Sequence, residues 1–453
     1  MRYIKQEITR LVRAKIIPGS RILDVGCGDG TMLRDLLPAT GVGIDVDERA
    51  ILVARSSYPQ LRFICSSIED LDAETLEQFD YVVLSGVLEQ VHDVYVVLAQ
   101  LRSLVSDSTR LVIVSYSRLW QPAVRVAELL RLRKRTRDEN WIPPNELVNL
   151  LEQSGFCVIT KTTGVLIPIK LPFLSRFVNR WFAPLPLIRH LAAVTVTVAR
   201  PTVAPNATEI SPSVSVVIAA RNESGNIRNL VSRLPQLSDN QEVIFVEGNS
   251  TDDTWEQINM VIAEYSHHVG GTKFHAIKQP GIGKGDAVRA GFEAATGDIL
   301  IILDADLSVP PEELPRFIEC LRKGVCEFAN GSRLLYPMDD KAMQFLNIIG
   351  NRIFGVAFTF LLGQQIRDTL CGTKALWARD YRRIVANRGY FGDFDPFGDF
   401  DLLFGASRLG LHIRDVPVHY KERTYGSTNI SRFRHGLLLL RMTVIAARRI
   451  RFT

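Results

Sequence analysis

No uninterrupted apolar run in this chain reaches the ~20 residues that a membrane-crossing helix needs, so a spanning protein is not expected. Its six cysteines (Cys27, Cys65, Cys157, Cys320, Cys326 and Cys371) form no CxxC pair and have no histidine at zinc spacing. That speaks against a structural zinc site and for free thiols in a reducing compartment. The opening stretch, MRYIKQEITRLVRAKIIPGS, lacks an apolar core of signal-peptide length, so secretion is not expected either. Short-period repeats and low-complexity tracts are also missing. Charge of one sign is scarce: 54 Lys and Arg against 49 Asp and Glu leave +5, too little to argue for nucleic acid. No basic face interleaved with aromatics appears, which leaves that partner without support.

What remains is an ordinary globular composition, 46% hydrophobic and 23% charged, in 453 residues, enough for two or three domains. Strand-like apolar runs alternate with helical periodicity twice over. The first series is RILDV, GVGID, LRFIC, YVVLS, LVIVS, CVITKT and AAVTVTV; the second is VSVVIAA, EVIFV, FHAIK and DILIILD. Between them RPTVAPNATEISP (200–212) carries three prolines and no periodicity. Alternation of this kind predicts two doubly wound α/β domains, over 1–200 and 213–453, joined by a linker at 201–212.

In the first half, RILDVGCGDGTMLRDLL sets a strand, then Gly26, Gly28 and Gly30, then a helix. Glycines there let a ligand come close to the backbone at the mouth of a parallel sheet. A second strand ends in Asp45, placed to accept hydrogen bonds from two ribose hydroxyls. LDVGCGDG, GVGID and FDYVVLSGVLEQV together resemble the class I S-adenosylmethionine-dependent methyltransferases over about 1–200. The resemblance implies a Rossmann-like fold, with Asp24, Gly26 and Gly28 bordering the methionine part of S-adenosylmethionine and Asp45 holding its ribose. Where that family usually has an acid against the adenine amino group, this chain has Ser67; where it often has histidine, Gln90 stands. Methyl transfer from a sulfonium needs little beyond alignment of donor and acceptor, so either an active domain or a non-catalytic binding module is compatible with these departures. His92 and Tyr116 are candidates to face a methyl acceptor, against the plain reading of a helix-start histidine and a strand-end tyrosine. RLRKRTRDEN (131–140) reads as a solvated helix or loop.

In the second half, five apolar residues, Ile299 to Leu303, read as a buried strand that runs into Asp304 and Asp306. Carboxylates at i and i+2 of an extended chain point the same way and repel unless something positive lies between them. Hard oxygen ligands at the carboxyl edge of a sheet suit Mg²⁺ or Mn²⁺, with a nucleotide diphosphate completing the shell. VSVVIAARNESGNIRNLV, VEGNSTDDTWE, GIGKGDAVRAGFEAATGDILIILDADLSVPPEEL, NGSRL, IRDTLCGTKAL and VPVHYKERTYGSTNI resemble family 2 glycosyltransferases of the GT-A fold, specifically the polyprenyl-phosphate hexosyltransferases. That resemblance implies a nucleoside pocket lined by Arg221 and Glu223. It implies donor contacts from Lys284 and Asp286, and metal and diphosphate held by Asp304 and Asp306. The paired acids usual in the VEGNS stretch are here Glu247 and Gly248, which leaves UDP-hexose and GDP-hexose both open as donors.

Two acceptors compete. A hydroxyl acceptor, as in a polysaccharide glycosyltransferase, needs a general base, and FGDFDLLFGA offers Asp401 and then Asp399. A polyprenyl phosphate is already ionised and needs cationic groups instead; the resemblance implies Arg333, Arg423 and Ser427. Two amphipathic segments, 345–363 and 436–452, carry Asn or Arg inside apolar runs. Such helices lie on a membrane surface or pack on a domain. The expectation is a cytoplasmic protein, peripheral on the inner face of the plasma membrane, whose two halves serve one pathway of cell-surface glycan synthesis.

Overall fold

A computed structural model of the chain describes residues 2–68, 70, 78–130, 140–203, 211–265, 271–337, 345–390, 398–423, 425 and 432–452. It separates into two compact units, Met1–Thr202 with Arg448–Thr453, and Val203–Ala447. The last six residues thus group with the first unit, and most of the 201–212 linker lies outside the described residues.

The first unit is built on seven strands: β1 (Arg21–Val25), β2 (Thr40–Asp45), β3 (Arg62–Cys65), β4 (Tyr81–Ser85), β5 (Arg110–Tyr116), β6 (Phe156–Gly164) and β7 (Val194–Pro201). Their order is β3-β2-β1-β4-β5-β7-β6. β1 pairs parallel with β2 and β4, while β7 runs antiparallel to β5 and β6. Side chains alternate across a strand, so β4 sends Val82 and Leu84 into one apolar cluster and Tyr81 and Val83 into the other. Burial on both faces explains why these runs are almost continuously apolar. By the same alternation Asp24 of β1 shares the face of Ile22 and is buried with it. Helices start where polar residues can cap them: Asp47 accepts from the amides of Arg49 and Ala50 ahead of Glu48–Ser57.

The second unit also has seven strands: β8 (Val214–Ala220), β9 (Gln241–Glu247), β10 (Lys273–Lys278), β11 (Ile299–Asp304), β12 (Phe328–Ser332), β13 (Lys374–Trp377) and β14 (Ile413–Pro417). The order is β10-β9-β8-β11-β13-β12-β14. β10, β9, β8 and β11 run parallel to one another, β13 is antiparallel to β11 and β12, and β14 is parallel to β12. Val214, Val216 and Ile218 of β8 meet Ile299, Ile301 and Leu303 of β11 in one core with Phe245 and Phe317. The Lys284–Ala294 helix rests directly on this sheet through Gly291, where a Cβ would lie 2.3 Å from Val217 Cγ1.

Each sheet reverses its winding once, between β1 and β4 in the first unit and between β8 and β11 in the second. A crevice opens outside the carboxyl ends of the strands at such a point, and ligands of open α/β sheets bind there. The two amphipathic segments form the helices Phe345–Leu362 and Arg432–Ala446. Each buries one apolar face, Phe358, Leu361 and Leu362 in the first and Leu439 and Met442 in the second. Each also exposes a second apolar stripe, Ile349–Ile353–Val356 and Leu437–Leu440–Val444. Among the described residues no helix is long and apolar enough to cross a membrane.

Candidate active sites

At the switch point of the first unit the chain leaves β1 through Gly26, Gly28 and Gly30, all with positive φ. Gly26 has no room for a side chain, since a Cβ would lie 2.4 Å from Val87 Cγ2. Gly28 donates its amide to Asp45 Oδ2 at 2.7 Å, and Asp47 donates to Oδ1 at 2.9 Å. Asp45 therefore ties the glycine loop to the end of β2. Behind the loop, Asp24 is 1% exposed and neither carboxylate oxygen has a hydrogen-bond partner among the described residues. Burial, helped by the charge of Asp45, pushes its carboxyl up to about 7. A buried acid left without a donor is costly, and a ligand ammonium arriving at this loop would supply one. Ser67 donates its hydroxyl to Asp70 Oδ2 at 2.9 Å, so a carboxylate adjoins the position at which the resemblance expects one. Gln90 turns back to the Gly86 carbonyl at 2.7 Å. His92 is exposed and Tyr116 is half-buried against the core. Of 131–140, only Asn140 lies among the described residues; it donates to the Leu88 and Val91 carbonyls.

In the second unit the residues after β8, β9 and β11 meet around one rim. Arg221 is exposed, while Glu223 is buried and accepts from Asn226 Nδ2 at 2.7 Å. Burial raises the Glu223 carboxyl to about 7, the nearby Asp306 adding to the push. Glu247, buried at the end of β9, spends a carboxylate oxygen on the Ser250 amide at 2.5 Å, so it shapes its own turn. Asp286 likewise accepts the Gly281 amide at 2.7 Å and fixes the loop that carries Lys284.

Asp304 is the last residue of β11, but Asp306 already lies in the turn beyond it. The strict alternation expected from the sequence stops one residue short, and each carboxylate meets its own cation. Lys284 Nζ stands 2.5 Å from Asp304 Oδ1, and Arg423 Nη2 stands 2.5 Å from Asp306 Oδ2. Burial alone would raise the Asp304 carboxyl; Lys284, with Lys374 and Arg333 behind it, outweighs this and holds it below the ordinary range. Gly372 closes the cradle, because a Cβ there would lie 2.1 Å from Lys284 Nζ and 2.2 Å from Asp304 Oδ2. Each carboxylate is engaged by a side-chain cation, which a divalent ion arriving with phosphates would have to displace before the two acids could serve as its hard oxygen donors. Glu223 lies near them across Arg423, but among the described residues no group of three or more acids, cysteines or histidines is placed to hold a metal ion.

The expected acceptor-side residues separate. Arg333 forks onto the fully buried Asp368 through Nε at 2.7 Å and Nη2 at 2.9 Å, leaving Nη1 as the nitrogen not spent on that pair. Burial would raise Asp368, but Arg333 brings it down to about 2. The Arg333 guanidinium also lies over the Tyr420 ring, 5.0 Å from its centroid. Arg423 faces the donor side through Asp306, and Tyr425, two residues on, reaches Ser224 Oγ at 3.0 Å. Ser427 lies outside the described residues, as does the side chain of Asp399. Gly398, just before Asp399, packs on Gly285, 2.8 Å from where a Cβ would stand to the Gly285 Cα. Asp401 pairs with Arg388 Nε at 2.8 Å, and an acid held by a guanidinium is a poor proton acceptor.

Two groups escaped the sequence reading of roles although their stretches were noted. Lys374 of the CGTKAL stretch is fully buried and donates to the Cys371 carbonyl. Asp368 of the IRDTL stretch gathers Arg333 and Asn351. Neither stretch singles out its charged residue by pattern or spacing.

Comparison with known proteins finds one family match in each half. Residues 1–161 match the family described as a methyltransferase domain, and residues 215–385 match glycosyl transferase family 2. The second half is similar to the glycosyltransferase AglD of Haloferax volcanii, 30% identical over 234 residues, covering 49% of this chain and 35% of that protein. It is also similar to a dolichol-phosphate mannosyltransferase of Pyrococcus furiosus, 36% identical over 122 residues, covering 26% of this chain and 33% of that protein. The chain thus spans about a third of the length of these curated relatives. Among solved structures, an S-adenosylmethionine-dependent methyltransferase of Thermotoga maritima aligns at 16% identity and a TM-score of 0.34, covering 44% of this chain and 89% of that one. The glucosyl-3-phosphoglycerate synthase of Mycobacterium tuberculosis, solved with Mn²⁺, uridine diphosphate and glucosyl-3-phosphoglycerate, aligns at 19% identity and a TM-score of 0.37, covering 53% and 80%.

Proposed function

We propose that this chain, with a methyltransferase domain in its first unit and a family 2 glycosyltransferase domain in its second, transfers a hexose from a nucleotide diphosphate sugar to a polyprenyl phosphate. The observation that carries the reading is the rim at β11, where Asp304 and Asp306 stand at the switch point, each beside a cationic side chain. Asp304 and Asp306 would hold Mg²⁺ or Mn²⁺, which neutralises charge growing on the departing diphosphate oxygen. Arg221, Glu223 and the Glu247 turn would border the nucleoside, and Lys284, on a loop fixed by Asp286, would face the diphosphate. The bond from the anomeric carbon to the diphosphate oxygen breaks as an acceptor phosphate oxygen attacks that carbon from the opposite side. A phosphate nucleophile brings no proton to remove, which accords with Asp401 being engaged by Arg388. Arg333 Nη1 is the cationic group assigned to the acceptor phosphate, while Arg423 stays with Asp306 on the donor side. The name of the Pyrococcus furiosus relative supports the lipid-phosphate acceptor. The exposed stripes of Phe345–Leu362 and Arg432–Ala446 support a peripheral contact with a membrane surface, which the reading takes to be the inner face of the plasma membrane.

In the first unit the reading is S-adenosylmethionine binding, with Asp24 taking the ammonium, Asp45 the ribose hydroxyls, Gly26 and Gly28 the methionine backbone, and Ser67 with Asp70 the adenine edge. S-adenosylmethionine would supply an electrophilic methyl group there. The test for the second unit is a donor screen that reads release of nucleoside diphosphate with polyprenyl phosphate present and absent, repeated on Asp306→Asn. Lipid-dependent release in the parent, lost in the variant with thermal unfolding unchanged, is expected. Release that ignores the lipid, or an Asp306→Asn protein of undiminished turnover, would overturn the assignment.

A further inference from the structure

The helix Leu174–Trp181 of the first unit is inside out. Its buried residues are polar, Ser175 and Asn179, each 1% exposed. Asn179 accepts the Leu166 and Ile167 amides at 2.8 and 2.9 Å and donates to the Ile167 carbonyl at 3.0 Å. Ser175 accepts the Leu171 amide and donates to the Ile169 carbonyl, both at 2.7 Å. These bonds clamp the helix onto the loop before it, with its apolar residues turned outward. Leu174, Phe177 and Trp181 are exposed, joined by Ile169, Leu171, Phe182 and Leu191, with Phe173 94% and Leu187 91% exposed. Phe173 has a φ of 59°, a conformation rare for a bulky residue. In a water-facing helix the pattern is the reverse, apolar residues inward and polar residues out.

Charge points to the occupant. From Gln153 to Thr208 the sequence contains no aspartate or glutamate. Lys170, Arg176, Arg180 and Arg189 are exposed among the apolar residues, and Arg448 and Arg449 are exposed in the C-terminal segment of the same unit. That segment is fastened to the helix: Phe452 stacks on Trp181 at 5.0 Å, Arg180 donates to the Phe452 carbonyl at 2.7 Å, and Arg451 reaches the Pro184 carbonyl at 3.3 Å. An apolar rim of Phe, Trp and Leu set in a stretch whose exposed charges are all basic matches an anionic phospholipid surface, in which rings and aliphatic chains enter the acyl boundary while arginines meet phosphates. We propose that residues 169–191 of the methyltransferase unit, with the docked C-terminal segment, form a surface that binds anionic bilayers. This goes beyond the acceptor assignment, since it places a lipid contact on the unit that does not handle the sugar.

The experiment is co-sedimentation of the full chain with vesicles of phosphatidylcholine alone and of phosphatidylcholine with phosphatidylglycerol, with no polyprenyl phosphate in either. The parent is expected to partition onto the anionic vesicles and to lose binding as salt is raised. Phe173→Ser with Leu187→Ser is expected to cut that partitioning by about tenfold or more. Thermal unfolding and S-adenosylmethionine binding should not move, because both side chains lie outside the core. Lys170→Glu with Arg176→Glu is expected to abolish the preference for the anionic vesicles. Parent protein indifferent to phosphatidylglycerol, or a serine double variant that partitions like the parent, would overturn the proposal. So would a parent dimer that the serine variant converts to monomer while vesicle binding persists, since the face would then join two copies of the chain. Failure of the acceptor assignment reads differently: vesicle binding stays intact and polyprenyl phosphate receives no sugar.

Discussion

Burial strips Asp24 of water while no described donor replaces it, and its carboxyl holds a proton up to a pH of about 7 against an ordinary 3.8. Between about pH 4 and pH 7 the folded chain therefore keeps a proton that the unfolded chain has released, so this group erodes stability as pH rises through that window. At about 1.4 kcal/mol per unit, the whole range amounts to about 4 kcal/mol. Asp24→Asn keeps the shape and removes the titration. Its urea midpoint at pH 8 is expected to exceed the parent's, with a flatter profile from pH 4 to 8, while S-adenosylmethionine binds more weakly in calorimetry. A variant less stable than the parent at pH 8 would mean that a donor reaches the carboxylate in the folded chain. Gly372 makes a second case at this scale. Its missing side chain is what admits the contact between Lys284 and Asp304, and a displacement of about 1 Å in such a site can cost about a hundredfold. Gly372→Ala should therefore lower sugar transfer by about that factor with unfolding unchanged; full activity would show that the pair does not position the donor.

Elements divide by how local their cause is. The runs that carry Asp24, Asp45 and Asp304 are legible because they are buried on both faces and hence almost continuously apolar. The three strands that close the second sheet are not: FANGS, KALW and IRDVP are short, and they carry Gly, Lys, Arg, Asp and Pro. Pairing with neighbours distant in the chain makes them strands, and the same antiparallel pairing of β12 with β13 aligns Asn330 with Lys374. The rim of aspartates was thus readable, whereas Lys374 and the clamp of Arg333 on Asp368 depend on contacts that no local pattern encodes. The helices Phe345–Leu362 and Arg432–Ala446 were legible as amphipathic, yet only the structure separates the apolar face that packs from the stripe that does not. Ile353→Ser with Leu440→Ser alters only exposed positions of those stripes. It is expected to raise KM by about tenfold for polyprenyl phosphate embedded in vesicles and to leave turnover of a short-chain, water-soluble analogue unchanged. Equal loss with both acceptors would mean that the stripes serve the fold and not the bilayer.

At the scale of the molecule, the two units draw their candidate sites from separate stretches of chain. The residues proposed for S-adenosylmethionine, Asp24, Asp45, Ser67 and Asp70, all belong to Met1–Thr202, and those proposed for the donor sugar, from Arg221 to Arg423, all belong to Val203–Ala447. The chemistry required of them differs as well. A sulfonium methyl donor carries its own leaving group and needs alignment alone, whereas a diphosphate leaving group accumulates negative charge that a divalent ion held by carboxylates would balance. Removal of divalent ions should consequently act on one half only. Titration with EDTA is expected to bring release of nucleoside diphosphate to background, and Mn²⁺ or Mg²⁺ added in excess to restore it. The heat of S-adenosylmethionine binding should stay the same throughout. In the converse arm, Asp24→Asn should weaken that heat and leave sugar transfer at the parent rate. Sugar transfer that survives chelation would remove the metal from Asp304 and Asp306, leaving Lys284 and Arg423 as the positive charge at the diphosphate. A fall in S-adenosylmethionine affinity on chelation would instead tie the two sites into one coupled equilibrium, a result that separate stretches of sequence alone would not produce.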